Sequence, residues 1–300
     1  MIYTLTFNPA IDYCLKPAQF VPGQINPCDW SRAYPGGKGV NVSRVLRQLG
    51  MESTALGFIA GFSGEAVRQM LHAQGIKTDF IVLPAGLTRI NVKIRCGEET
   101  DINCTGPEID GASLQQLMDR LQALKRGDLL VLAGSLPASL PENVYEQILQ
   151  ALQGRGVTVA ADTTGQRLLG IAKHRPFVVK PNHLELGALF GRTAETEAEI
   201  LEQARRLQAK GARNVLVSRA EKGALLLAED GAVYSAPLFA GRAVNTVGAG
   251  DSMLAGFLCG YLQTGDMAAA LRLGAAAGAA TAFSNDLADR AAIDRLLQTL

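Results

Sequence analysis

The sequence predicts an α/β protein, with a mostly parallel central sheet covered by helices on both faces and a second, small β-layer beside it. Three observations carry this reading. From residue 113 onward, short runs rich in Val, Leu and Ala at 129–133, 157–161, 177–180 and 215–218 alternate with segments of helical period, the mark of βαβ units and a parallel sheet. These runs are mostly apolar, as strands buried on both faces require. By contrast, 88–95 alternates strictly, with Arg89, Asn91 and Lys93 on one face and apolar residues on the other, so it belongs to a half-buried sheet of its own.

In chain order, 2–7 reads as a strand stopped by Asn8-Pro9. Segments 13–20 and 28–34, punctuated by Pro17, Pro22, Gly23 and Pro27, read as a small hairpin outside the main core. A helix over 38–49 ends at Gly50, a strand follows at 53–59 and a helix at 64–73. Strands at 80–83, 88–95 and 100–104 come next, the last two joining the earlier hairpin. A helix over 113–124 starts on Ser113 with Gln116 completing a capping box. Helices at 141–153, 164–172, 182–190 and 195–209 separate the parallel strands. The pair 223–227 and 232–235 flanks Asp230-Gly231, a hairpin turn. Helices at 250–263, 266–283 and 290–299 close the chain. No repeat or linker interrupts the 300 residues, so 1–300 reads as a single domain whose β-layer comes from two insertions, about 12–33 and 87–106.

Composition narrows the function. Hydrophobic residues make up 48% and charged residues 19%, which suits a large packed core. The net charge of +1, from 29 basic and 28 acidic residues, offers no footprint for nucleic acid or membrane. The five cysteines form no CxxC pair and are odd in number, which indicates reduced thiols in a cytoplasmic protein and no metal cage. The N-terminus reads as a strand and not as a signal peptide. The Ala-rich run 267–283 contains Arg272 and is too short to span a bilayer.

Four constellations carry chemistry. Asn245-Thr-Val-Gly-Ala-Gly-Asp-Ser252 opens into a long apolar segment. Glycines allow close backbone approach, and the free N–H groups of a helix start suit an anion. Asp251 would repel that anion, and makes sense there if it takes the proton of an attacking hydroxyl; a plain helix N-terminus with an acid in its first turn has the same pattern. Tyr34-Pro-Gly-Gly-Lys-Gly-Val-Asn-Val is glycine-rich, yet it is neither a Walker loop nor a dinucleotide fingerprint. Its Lys38 and Asn41 add a charge and an amide, and a tight strand-to-helix turn is the plainer reading. Asp12, past the first strand, can accept from vicinal hydroxyls or can be a solvated turn residue. Lys180-Pro-Asn182-x-x-Glu185 sets two polar groups on one helix face. That face can hold hydrated Mg²⁺, and an N-cap Asn with a capping-box Glu has the same spacing. The three histidines belong to no hydrolase motif.

In order and spacing these pieces, with Gly134-Ser-Leu-Pro, resemble the ribokinase-like (PfkB-type) carbohydrate kinases over nearly the whole chain. Asn8-Pro-Ala-Ile-Asp12, Thr88-Arg-Ile-Asn-Val-Lys and Glu99-Thr-Asp-Ile-Asn are similar to the 1-phosphofructokinase and tagatose-6-phosphate kinase branch. The resemblance implies a three-layer α/β sandwich with a β-lid and ATP-dependent phosphorylation of a sugar phosphate. It implies D-fructose 1-phosphate first, with tagatose 6-phosphate and fructose 6-phosphate as alternatives and a non-catalytic sugar-phosphate sensor as a further one. It makes Asp251 the base and gives the N–H groups of Gly248, Ala249 and Gly250 an anion-hole role. Asp12, Gly37 and Asn41 would hold the sugar, and Lys38, Arg89, Asn103 and Ser135 its phosphate. Lys180, Asn182 and Glu185 would face ATP and Mg²⁺, with Asn182 and Glu185 reaching the metal through water. Ser218, Gly223 and Asn285 would lie on the nucleotide side. The expected partners are ATP, a sugar phosphate and a second copy of the chain docked through the lid. One position departs from the family pattern: the nucleotide loop Ser-x-Gly-x-x-Gly has Ala220 in place of its first glycine.

Overall fold

The computed structural model of the chain describes residues 1–236 and 238–299. Its strands are β1 (Ile2–Thr6), β2 (Ala10–Leu15), β3 (Ser31–Gly36), β4 (Ser53–Ile59), β5 (Lys77–Val82), β6 (Arg89–Cys96), β7 (Glu98–Ile102), β8 (Leu129–Ala133), β9 (Thr158–Asp162), β10 (Val178–Val179), β11 (Asn214–Ser218), β12 (Ala224–Leu227) and β13 (Val233–Ser235). Its helices are α1 (Lys38–Gln48), α2 (Gly61–Ala73), α3 (Gly111–Leu121), α4 (Val144–Ala151), α5 (Gln166–Ala172), α6 (His183–Leu189), α7 (Glu197–Ala209), α8 (Ala249–Thr264), α9 (Met267–Ala282) and α10 (Arg290–Leu297).

The main sheet has nine strands in the order β13-β12-β11-β10-β9-β8-β1-β4-β5. From β5 to β11 every pairing is parallel; β12 and β13 are antiparallel. Strand side chains feed two cores in alternation. In β8, Leu130 and Leu132 join α3, α4, α5 and α7 on one face, while Leu129, Val131 and Ala133 join α1, α8, α9 and α10 on the other. This is the predicted sandwich, and it aligns the C-terminal ends of the parallel strands, where ligands bind in open α/β sheets.

The second sheet has the order β3-β2-β6-β7. It forms as expected from segments on either side of β4 and β5, but the boundaries move. β2 starts at Ala10 and not at 13, because Asp12 sits mid-strand on a polar face. β3 runs on to Gly36 through Pro35, which an edge strand tolerates because its N–H side needs no partner. Helix α3 starts at Gly111 and not at Ser113: Asp110 is the N-cap, accepting from the Ser113 N–H at 2.7 Å, so the predicted capping box is replaced by this cap. β5 begins at Lys77, three residues before the predicted start, with a polar run that an edge strand can expose.

No helix among the described residues is long and apolar enough to cross a membrane.

Candidate active site

The site lies along the C-terminal strand ends, under the second sheet. A cleft of about 360 Å³ brings together Asp12, Gly37, Lys38, Asn41, Arg89, Asn103, Lys180, Asn182, Glu185, Ser218, Gly248, Gly250 and Asp251. A second cavity of about 490 Å³ adjoins it through Lys38, Arg89, Asn103 and Glu185, and adds Asn8, Ser135, Thr163 and Arg167. Almost every residue singled out in the sequence thus converges on one place.

Its floor is the turn into α8. Gly248 is the N-cap, in the left-handed region at φ 80°, where a side chain would be strained and would also run into Leu287. The Ala249 N–H donates to the Thr246 carbonyl at 3.3 Å. Of the three N–H groups expected to form an anion hole, this one therefore has an acceptor within the chain. The Gly250 and Asp251 N–H groups have no acceptor among the described residues, as the first turn of a helix dictates.

Asp251 is 5% exposed. Its Oδ2 accepts from Asn41 Nδ2 at 2.8 Å. Burial, reinforced by the nearby Asp162 carboxylate, pushes its pKa up from 3.8 to about 6; Lys38, Asn41 and Lys180 work against that rise. A carboxylate in this range is ionised at neutral pH and is a better proton acceptor than an ordinary one.

Around it runs a chain of alternating charge. Asp162, 1% exposed at the end of β9, accepts from Lys38 Nζ at 2.9 Å. Lys180 Nζ lies 3.3 Å from Asp162 Oδ2, an ion pair without hydrogen-bond geometry, so that oxygen is a buried acceptor with no donor among the described residues. Burial would raise the Asp162 carboxyl, but Lys180 and Lys38 outweigh it and hold the group below its usual range. Burial likewise works against the Lys38 ammonium, yet Asp162 and Asp251 hold it above its usual range. A Cβ on Gly250 would sit 3.0 Å from Lys180 Nζ, so this ammonium reaches the start of α8. Two cations and a helix N-terminus together suit a polyphosphate.

Asn182 and Glu185 realise the capping box: Asn182 Oδ1 accepts from the Glu185 N–H at 2.8 Å and Glu185 Oε2 from the Asn182 N–H at 2.9 Å. The Asn182 oxygen caps the helix with one lone pair, and the residue lines the cleft. Glu185 still lines both cavities. Ser218, at the end of β11, bridges to Asn182, and its N–H donates to the Pro181 carbonyl at 3.2 Å. Gly223 closes a single 3-10 turn, Ala220–Lys222, just beyond it. Asn285 lies beside the cleft, in a groove that shares Asp12, Asn41 and Val247 with it. Its Oδ1 accepts from Lys16 Nζ at 2.6 Å, and it also lines a groove with Cys14, Trp30, Arg95 and Asn245. The Arg44–Asp286 ion pair fixes the neighbouring residue onto α1, which keeps this loop on the lid side.

Sequence reasoning passed over Asp162, the most buried charge of the site. The available signal was a lone acid ending an apolar strand, Val-Ala-Ala-Asp162-Thr, at the edge where parallel sheets bind ligands. Asn91 and Lys93 were placed on the polar face of the second sheet without a role; both line the cleft.

A model of the family described as pfkB family carbohydrate kinase matches residues 5–290. The chain belongs to the PfkB family of carbohydrate kinases. As a family member it is a phosphotransferase with an alcohol group as acceptor. It is similar to the 1-phosphofructokinase of Bacillus subtilis, with 42% identity over 99% of this chain and 97% of that protein. It is also similar to the D-tagatose-1-phosphate kinase of Bacillus licheniformis, with 36% identity over 98% and 97%. Among solved structures, phosphofructokinase-2 from Escherichia coli in complex with fructose-6-phosphate has a TM-score of 0.92 at 26% identity, covering 100% of this chain and 98% of that one.

The departure from the PfkB pattern at Ala220 has a structural cost. Ala220 has φ 49°, in the left-handed region where a Cβ crowds the following carbonyl and glycine is preferred. Ala220→Gly relieves this, while the added freedom of the unfolded chain offsets part of the gain. The expected result is a net stabilisation of about 0.5–1 kcal/mol, read by urea denaturation; equal or lower stability would contradict the assigned strain.

Proposed function

We propose that this protein transfers the γ-phosphoryl group of ATP to the 6-hydroxyl of D-fructose 1-phosphate, giving D-fructose 1,6-bisphosphate and ADP. The observation that carries the proposal is Asp251: a buried carboxylate, lifted toward neutrality, at a helix start that faces two ammoniums across the cleft. The similarity to a 1-phosphofructokinase supports the choice of sugar.

In this reading Asp12, Gly37 and Asn41 hold the ketose. Arg89, Lys38, Asn103 and Ser135 take its phosphate, Arg89 through the fork of its guanidinium. Asp251 accepts the 6-hydroxyl proton as the oxygen bonds to the γ-phosphorus and the bond to the β–γ bridging oxygen breaks. Lys180, Lys38 and the free N–H groups at the start of α8 stabilise the transferring group. Ser218 and Gly223 flank the nucleotide. Mg²⁺ accompanies the triphosphate, and when bound it neutralises phosphate charge. Asn182, Glu185 and Asp162, which all line the cleft, fit a hydrated ion of this kind, which takes one or two carboxylates and keeps several waters; the buried Asp162 Oδ2 has no donor among the described residues.

The second reading is tagatose 1-phosphate, favoured by the D-tagatose-1-phosphate kinase relative. It carries its phosphate at the same end as fructose 1-phosphate; tagatose 6-phosphate and fructose 6-phosphate present the opposite end. A side-by-side turnover assay with the four sugar phosphates tests the proposal. Fructose 1-phosphate should give the highest kcat/KM, and Arg89→Ala should raise its KM by about tenfold or more. A clear preference for either 6-phosphate would overturn it.

The proposal extends to a cytoplasmic homodimer. Five free cysteines support a reducing compartment. On the outer face of the second sheet, Tyr13 of β2 pairs with Val92 of β6, which pairs with Ile102 of β7. Tyr13 and Ile102 are both exposed. This apolar row across three strands suits a two-fold copy of itself. Light scattering should give a dimer that Tyr13→Lys dissociates; a monomeric wild-type protein would contradict it.

A further inference from the structure

Asn91 lies at the centre of the second sheet, 4% exposed, and is the cross-strand partner of Asp12 in the parallel β2–β6 ladder. Its Nδ2 donates to Asp12 Oδ1 at 2.8 Å, and its Oδ1 accepts from the Cys104 N–H at 3.1 Å. The partners leave no choice of amide orientation, because an ionised carboxylate only accepts and a backbone N–H only donates. One buried amide therefore ties the Asp12 carboxylate to the segment that carries Asn103. The other Asp12 oxygen is confined as well: a Cβ on Gly36 would run into Oδ2. The carboxylate is thus held from β6 on one side and β3 on the other. Its Oδ2 has no protein donor among the described residues.

We propose that Asn91 is the positioning residue of the sugar subsite. It fixes the rotation of Asp12 so that Oδ2 accepts from ring hydroxyls along one direction, and this lets the cleft tell C4-epimeric ketose 1-phosphates apart. The inference rests on the reading of the cleft as a ketose 1-phosphate site. A carboxylate locked by a neighbouring amide presents fixed lone pairs; an unlocked one turns to suit either epimer. Orientation of a ligating group by a second hydrogen bond has the same logic at metal centres, where its loss costs about 10–100-fold.

The test is steady-state kinetics of the wild-type protein, Asn91→Ala, Asn91→Asp and Asp12→Ala, alone and combined with Asn91→Ala, on fructose 1-phosphate and tagatose 1-phosphate. Asn91→Ala should raise the KM for the preferred sugar phosphate about tenfold. The KM for ATP should stay within about twofold, and the ratio of kcat/KM between the two epimers should narrow. Asn91→Asp is isosteric and keeps the acceptor for the Cys104 N–H, but it sets a carboxylate against Asp12. It should be at least as impaired as Asn91→Ala, and it carries the comparison if the alanine variant does not fold. In the Asp12→Ala background, loss of Asn91 should add little, because coupled residues are non-additive. A near-normal KM and epimer ratio in Asn91→Asp, or full additivity with Asp12→Ala, would overturn the inference alone and reduce Asn91 to a latch for the Cys104 segment. A wild-type protein that turns over neither ketose 1-phosphate would overturn the functional reading and the inference with it.

Discussion

Asp251→Asn should lower the turnover of fructose 1-phosphate by about 10³-fold, within the range a positioned general base contributes. The KM for the sugar should change only a few-fold, because the substituted amide keeps an acceptor for Asn41 and the sugar contacts lie elsewhere. The same substitution should raise thermal stability at pH 8. The Asp251 carboxyl has its pKa raised in the folded protein from 3.8 to about 6. Its contribution to stability is therefore fully present below about pH 3.8 and is lost as pH rises through about 6. Above that the fold carries a buried charge that the amide removes. Turnover and melting temperature should thus move in opposite directions, and the stability gain should vanish near pH 4. Near-normal turnover would remove Asp251 as the base, and a lower melting temperature at pH 8 would contradict the account of its burial.

Asp162→Asn should have the second largest effect. Asp162 is the shared counter-ion of Lys38 and Lys180, and the Lys180 side chain is 5% exposed. Removing the carboxylate that both lysines pair with leaves a buried ammonium without its ion-pair partner, a change of the kind that costs about 3–5 kcal/mol. Because Lys38 and Lys180 are also the cations proposed to meet phosphate groups, their displacement should reduce turnover by about 10²-fold. A stable variant with normal turnover would reduce Asp162 to a bystander. Its charge also helps to keep Asp251 high, while the two ammoniums pull Asp251 down. The variant should therefore shift the Asp251 pKa to lower values.

The parallel sheet was legible because its strands are short apolar runs separated by segments of helical period, and burial on both faces leaves little room for anything else. The second sheet was legible in part. Alternation over 89–95 gave a polar and an apolar face, and the polar face proved to line the cleft. Its flanking strands were misplaced for a single reason: Asp12 and Pro35 look like turn residues in sequence, yet each sits within a strand. Asp12 faces a polar cavity, and Pro35 lies on an edge. The glycine-rich turns and Asp251 were legible because backbone approach and a lone acid at a helix start leave a local imprint. Asp162 was not, since what distinguishes it is the pair of lysines brought to it from Lys38 on α1 and Lys180 after β10, and no spacing in the chain encodes that meeting. Asn182 shows the limit from the other side. Its spacing to Glu185 serves a capping box and a metal contact equally well, and the hydrogen bonds realise the first without excluding the second. Asn285 is met by Lys16 of the lid side, distant in sequence, a contact that no spacing in the chain encodes.

The most direct test of the central claim is the pH dependence of kcat/KM for fructose 1-phosphate in the wild-type and Asp162→Asn proteins, measured with the same substrates. The phosphate groups of sugar and nucleotide also titrate near neutrality, but they are common to both profiles, so a difference between the profiles belongs to the protein. The wild-type profile should fall on the acid side with a limb near pH 6, as the Asp251 base is protonated, and the Asp162→Asn limb should lie at lower pH. Superimposable acid limbs would contradict a mechanism in which a buried Asp251, lifted by its neighbour, takes the proton of the sugar hydroxyl.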